Sequence, residues 1–490
     1  MTEAPFAIMG KRKNESGRGG MGTVAIIGGG ASGLAAAIEA ARAGAEVLLF
    51  EAADRVGKPI LATGNGRCNF SNVNPADGDY RNAPFVASVL AAQEALYARE
   101  VKRDARGLEP DAHGLESDAH GLEPDARDFE SDARAFDGPH AVTDFFARLG
   151  MLRREEGGRL YPLTNKATTV VDVLRQALAS YGVEERCGHR AVRVRPLAGG
   201  AKGAAGRFRI DFAEGEPAFA DAVVLACGGH IARALAPEEL AFVRQRPVLG
   251  PLRTDTAPIK GLNNIRVQCA IALESPEGGV KAREEGEVLF RDYGISGIAA
   301  FDVSRHAEPG DRVVFDFIPW IRECELRSCL EQRWDCGVLS HGGAGRWRPT
   351  LLDITCGMLL PQVARCVLAQ ANRDPSAPAR RDDLGALAGA LKRFAVTVRG
   401  GGDAKQCQVT RGGLDVRGFS DATLEARAVP GLYAAGEALD VDAACGGFNL
   451  HWAWASGMLA GRVAGTSVAS RGAGERAGAP RPGGVSHEGE

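Results

Sequence analysis

"TVAIIGGGASGLAAAIEAARAGAEVLLFEA", residues 23–52, decides the fold. The apolar run 23–27 reads as a buried strand, the Ala-rich run after Ser32 as a helix, and "EVLLFEA" as a second strand. Gly28, Gly30 and Gly33 stand at the G-x-G-x-x-G spacing, with Ala31 and Ser32 between the last two. Gly28 permits a tight turn, Gly30 lets a pyrophosphate approach the backbone, and Gly33 lets the helix pack on the strand. The helix N-terminus offers free N–H groups and positive potential to phosphates. Glu51 closes the second strand, where a carboxylate can accept hydrogen bonds from a ribose and disfavours a 2′-phosphate. A purely structural glycine turn leaves Glu51 unexplained. The pattern predicts a dinucleotide site at the start of an α/β, Rossmann-like domain.

Residues further along choose between FAD and NAD. An NAD dehydrogenase follows its fingerprint with more βα units. Here the pattern breaks into "ADRVGKPILATGNGRCNFSN", residues 53–72, which reads as a long extended loop crowded with Gly, Asn, Thr and Arg. Near the C-terminus, "VPGLYAAGEALDVDAACGGFN" offers a strand, the pair Gly436-Glu437 and a Gly-rich turn opening a helix. Such an arrangement suits a cofactor whose second half runs far across the protein. No second G-x-G-x-x-G follows a strand, so no dedicated NAD domain is evident.

The bulk numbers exclude several classes. The formal net charge is −3, which gives no electrostatic case for nucleic acid or an anionic membrane. Aromatic residues make up 6%, too few for a base-stacking platform. No apolar run reaches the roughly 18 residues that a membrane span needs, so no membrane partner is expected. The 11 cysteines include no C-x-x-C pair, and residues 1–20 hold no secretory h-region. Reduced thiols in a cytoplasmic protein follow. Cys324, Cys329 and Cys336 match no familiar zinc or iron–sulfur spacing, so no metal is expected. Composition specifies no oligomer.

The chain divides as follows. Residues 1–20 read as a disordered arm and 21–247 as the first part of the cofactor domain. Residues 248–404, with strands such as "VQCAIALES" and "RVVFDF" and then helices, read as a separate inserted body. Residues 405–470 return to the cofactor domain, and 471–490 read as a disordered tail. Residues 104–137 repeat a heptad, DARGLEP-DAHGLES-DAHGLEP-DARDFES-DARAFD. Its glycines, with Pro110 and Pro124, break a coiled coil, so it reads as a solvated low-complexity insertion. Duplication explains the matching His113 and His120 better than metal binding does.

Five stretches together resemble the BaiN-like, aminoacetone-oxidase-type flavoproteins, which are FAD-dependent oxidoreductases. They are the fingerprint through "TGNGRCNFSN", "GRLYPLTNKATTVVDVL", "AVVLACGG", "YGISGIAAFDVSR" and "VPGLYAAGEALDVDAACGGFNLHWAWASG", spanning residues 22–465. The resemblance implies a Rossmann-like FAD domain of the glutathione-reductase-like type, interrupted by an inserted domain containing a β-barrel and helices. It implies that Lys58, Thr63, Asn65, Arg67 and Cys68 line the cofactor, with Arg67 the best anion stabiliser. Glu437 would face the ribityl region, beside Gly436. Gly446, Gly447 and Asn449 would lie near the flavin pyrimidine, Ala191 by the adenine, and Gly228 in "ACGG" beside the cofactor.

The expected chemistry is C=C reduction of an enone-like compound or oxidation of a small amine, with NADH or NADPH as a transient donor. A non-catalytic flavin- or NAD-binding sensor or assembly factor is the alternative reading, and a plain NAD dehydrogenase a third. Departures from the family pattern include Cys227, His451 and a shortened connection after Gly229. No catalytic acid or base is assigned: Cys68, His451 and Tyr293 each have an ordinary structural explanation, with a distant Cys68–Cys445 pairing left open.

Overall fold

The computed structural model describes residues 22–106, 140–197, 206–335 and 349–477. Its centre is a five-stranded parallel sheet. The strand order is Leu432–Ala434, Ala222–Leu225, Thr23–Ile27, Glu46–Glu51 and Glu184–Cys187. Ile26 pairs with Leu49 on one side and Val224 on the other. The three central strands are covered on both faces, which is why they are continuous apolar runs rather than alternating ones.

The fingerprint helix, Ala31–Arg42, packs along the C-terminal helix, Phe448–Ala477. The contact depends on glycines four residues apart. A Cβ added at Gly457 would lie 2.3 Å from the Ser32 carbonyl oxygen. At Gly461 it would lie 2.1 Å from that of Ala36, and at Gly465 2.6 Å from that of Ala40. Glycine alone permits this approach, and it holds two helix N-terminal regions side by side.

The inserted body contains a closed six-stranded barrel whose strands run from Leu252 to Gly401, inside the 248–404 span read from the sequence. Phe290, Phe315, Phe317 and Phe394 fill its core. The chain enters through Phe242–Val248 and leaves through Val409–Leu414, and these two strands pair antiparallel as a ribbon between the domains.

Two expectations are corrected. The segment after Glu51 is not extended: Lys58–Leu61 forms one helical turn and Thr63–Gly66 a 3-10 turn. Pro59 suits a helix start, while Gly64 and Asn65 take left-handed φ of 56° and 55°. The C-terminal helix also continues past Arg471 to Ala477, since no proline interrupts the chain before Pro480. Residues 1–20, most of the heptad repeat with His113 and His120, Cys336, and the chain after 477 lie outside the described residues.

Candidate functional site

The strand–turn–helix signature forms as its spacing requires. A Cβ at Gly28 would meet the Ala226 carbonyl oxygen at 2.4 Å, and one at Gly33 the Gly28 carbonyl oxygen at 1.8 Å. Gly30 differs: a Cβ there meets nothing within 4 Å. Two glycines are needed for packing, whereas the third faces open space at the helix N-terminus, beside Ala31 and Ser32. The Glu51 carboxylate accepts from Gly29 N–H and Ala53 N–H, both at 2.7 Å. Each oxygen keeps a second lone pair for a hydroxyl group. His189 N–H donates to the Glu51 carbonyl oxygen, and two residues on Ala191 opens a strand at the same edge.

The loop 60–72 is tied down from behind. Trp454 Nε1 donates to the Phe70 carbonyl oxygen at 3.0 Å, and Ser71 Oγ lies 2.9 Å from His451 Nδ1. Burial pushes His451 down to about 3, so it is neutral and serves as a tether. Thr63, Gly64, Asn65 and Gly66 form the outer rim. Lys58 is exposed and paired with Asp54. Arg67 is not the free cation expected from its loop position. Its Nε donates to Asn165 at 2.7 Å, its Nη2 pairs with Glu156 at 2.5 Å, and it stacks 4.1 Å over Tyr161. Those partners come from the strands Arg153–Glu156 and Arg159–Pro162, which pair with the loop's end at Ser71–Asn72, and from the turn after them, none of which the loop's own sequence could reveal. Cys68 is fully buried and its thiol is pushed up to about 11 by burial. Cys68 and Cys445 are both free thiols, so no pairing joins them.

Gly436 lies against the fingerprint turn: a Cβ on it would be 2.6 Å from Ser32 Oγ. Its N–H donates to Ser456 Oγ, and its carbonyl accepts from Trp452 Nε1. Glu437, next along, is half-buried, and burial with the nearby Asp442 pushes its carboxyl up to about 7. Gly228 precedes a short helix with open space over its Cα. The turn at Gly446 and Gly447 has φ of 139° and 97° and leads into the C-terminal helix. Asn449 is a staple of that turn rather than a free group. Its Oδ1 accepts from Ala443 N–H and its Nδ2 donates to the Ala443 carbonyl oxygen.

Two buried polar atoms on this path have no hydrogen-bond partner within the protein. Asn69 Oδ1 would lie 2.7 Å from a Cβ on Gly447, and Gln245 Nε2 2.0 Å from one on Gly229. Buried polar atoms are normally satisfied. An orphan acceptor beside Gly447, an orphan donor beside Gly229 and the open faces of Gly30 and Gly228 fit a long polar cofactor spanning from Glu51 to Gly447. Sequence reasoning missed both residues. Asn69 sits in the quoted loop and was legible there, whereas Gln245 arrives on the ribbon between the domains.

An ion cluster joins the two domains next to this path. Asp442 accepts from Arg305 Nε at 2.9 Å and from Arg411 Nε and Nη2, both at 2.8 Å. Arg305 also donates to Asp79 at 2.6 Å. The two arginines hold the Asp442 carboxyl below the usual carboxylate range against the opposing effect of burial. Glu284, on a barrel strand, is pushed up to about 7 by burial and by Asp302 and Asp79. Tyr293 reaches Gln406 at 3.4 Å.

The family model described as HI0933-like protein Rossmann domain matches residues 22–97 and 122–463. A 3-dehydro-bile acid delta(4,6)-reductase of Clostridium scindens is 32% identical, over 91% of this chain and 99% of that protein. A ribosomal RNA dihydrouridine synthase of Escherichia coli is 27% identical, over 88% of this chain and 95% of that protein. Among solved structures, a 3-ketosteroid-delta4-(5alpha)-dehydrogenase from Rhodococcus jostii aligns at 15% identity and a TM-score of 0.41. That alignment covers 91% of this chain and 96% of that one.

Proposed function

Because this chain belongs to the HI0933-like, FAD-binding Rossmann family and is an FAD-dependent oxidoreductase, we propose that it reduces an electron-poor C=C bond in a small enone-like substrate. The observation that carries this is the 32% identity, across nearly the whole of both chains, to a delta(4,6)-reductase. The activities named for the two relatives both saturate a ring C=C bond. A small molecule suits this chain better than RNA, given its net charge of −3. A cytoplasmic setting suits its free thiols.

FAD supplies the two-electron chemistry when bound. The chain's own residues position and charge-balance it. Gly30 and the first turn of the fingerprint helix hold phosphate, and Glu51 takes the ribose. Gly228, Gln245, Gly436 and Glu437 line the middle of the path. Burial and the nearby Asp442 push the Glu437 carboxyl towards its protonated form, in which it can donate there. The N–H groups at Gly446 and Gly447 face the far end, where fixed donors stabilise negative charge without reorganising.

The purified protein is expected to be yellow and to release flavin on denaturation. Under anaerobic conditions NADH or NADPH should bleach it, and a cyclic enone should restore the colour with the saturated ketone as product. Bleaching by a small primary amine, with no reoxidation by any enone, overturns the C=C reading in favour of amine oxidation. A colourless protein that cannot be reconstituted with FAD overturns the cofactor assignment.

A further inference from the structure

Residues 293–305, "YGISGIAAFDVSR", belong to the barrel domain, yet the buried side chains of Asp302 and Arg305 reach out of it. Gly297, at φ 98°, starts a short helix, Ile298–Ser304, that lies on the strand Val280–Arg291. Ala299, Ala300 and Val303 join the barrel core. Asp302 and Arg305 are also buried, but their partners are in the cofactor domain. Asp302 Oδ1 accepts from Cys445 N–H at 2.6 Å, and Arg305 holds Asp442 and Asp79. Asn449 braces Ala443 and Ala444 between these anchors.

The next two residues are Gly446 and Gly447. Consecutive glycines at positive φ are the segment least able to hold its own backbone angles. Donors aimed at developing charge are effective only when held in place beforehand. The domains are already tied by Arg305 with Asp442 and Asp79, and by the Arg411 guanidinium, which donates to the Arg305 carbonyl oxygen. The Asp302 contact falls instead on the peptide next to the glycine turn. We infer that Asp302, carried by the inserted barrel domain and bonded to Cys445 N–H, is a positioning residue that, together with Asn72 Nδ2 on the Gly446 carbonyl oxygen, sets the orientation of the Gly446–Gly447 donors. This rests on the reading of that turn as the flavin-side end of the FAD path.

The test compares full-length wild type with Asp302→Asn, Asp302→Ala and Asp302→Glu. FAD affinity is read by fluorescence quenching, the two-electron midpoint potential by dye equilibration, and folding by thermal melting. Asn keeps an acceptor oxygen at the same place, so its FAD affinity should stay within twofold of wild type. Ala removes the acceptor and should weaken FAD binding at least tenfold. It should also lower the potential relative to Asn by about 30 mV, the equivalent of tenfold weaker holding of the reduced form over the oxidised one. If Ala does not fold, Glu makes the same test, since it keeps the charge but displaces the acceptor by one methylene, and it should also weaken FAD binding. Ala or Glu variants that melt and bind FAD like wild type, with an unshifted potential, overturn the inference. A wild type that binds no FAD instead overturns the functional reading on which it rests.

Discussion

Gly30 is the residue whose replacement should separate folding from binding. Its φ of −82° suits any L residue, and a Cβ there meets nothing in the protein. Gly30→Ala should therefore leave apo stability within about 0.5 kcal/mol while weakening FAD binding at least tenfold, as calorimetric melting and flavin titration would show. Equal FAD affinity in the variant would mean that the pyrophosphate does not pass over this turn. His451 carries a second residue-scale prediction. Its folded value, about 3, lies below the ordinary 6.5. Between those values the unfolded chain binds a proton that the native chain does not. Stability from this group is thus present above pH 6.5 and lost as pH falls towards 3, by about 1.4 kcal/mol per pH unit. His451→Gln removes the titration. In urea unfolding, wild type should lose about 2 kcal/mol more than the variant between pH 6.5 and pH 5. Parallel pH profiles would show that His451 titrates normally in the fold.

At the scale of elements, the helix pair decides how the two halves of the cofactor domain meet. The Gly457, Gly461, Gly465 spacing was visible in the sequence as small residues in an Ala-rich helix, but its partner was not. Gly461→Ala forces a Cβ to within 2.1 Å of a backbone oxygen. Backbone cannot rotate away as a side chain can, so the helices must separate. A loss of about 1–3 kcal/mol is expected, measured by denaturant unfolding of the apo protein. A neutral result would mean that the helices pack less closely than they do here. The same helix shows why His451, Trp452 and Trp454 could not be assigned from sequence. Each uses its polar atom to hold a loop or turn far away in the chain, namely Ser71, Gly436 and Phe70.

At the scale of the whole molecule, the heptad repeat interrupts the chain between two helices that already touch. Tyr97, on Ala83–Arg106, donates to Asp144 on His140–Arg148 at 2.5 Å, and Glu94 accepts from Ala141 N–H. The flanks are thus held independently of what joins them. Loop length costs only about 0.6 kcal/mol per doubling. Joining the flanks by a short linker in place of residues 107–137 should leave flavin occupancy unchanged and the melting temperature nearly so. Loss of flavin on this deletion, read by absorbance after gel filtration, would make the repeat part of the site.

Local chemistry was enough to determine the strand–turn–helix end of the candidate site. Gly28, Gly30, Gly33 and Glu51 lie within one strand–turn–helix–strand unit, where spacing dictates geometry because few residues separate the partners. A separate inserted body between 248 and 404 was legible as a change of pattern, and its barrel was implied by the family resemblance. The tertiary structure alone decided the other end, around Arg67 and Gly447. Arg67 met Glu156 and Tyr161 on the strands that pair with the loop's end, and Asn165 just beyond them, and its charge was spent there. Gln245 came in on the ribbon between the domains, and Asp302 reached Cys445 across 143 residues of chain. Such contacts depend on how separate layers dock, and no short-range pattern of propensity or period records that docking.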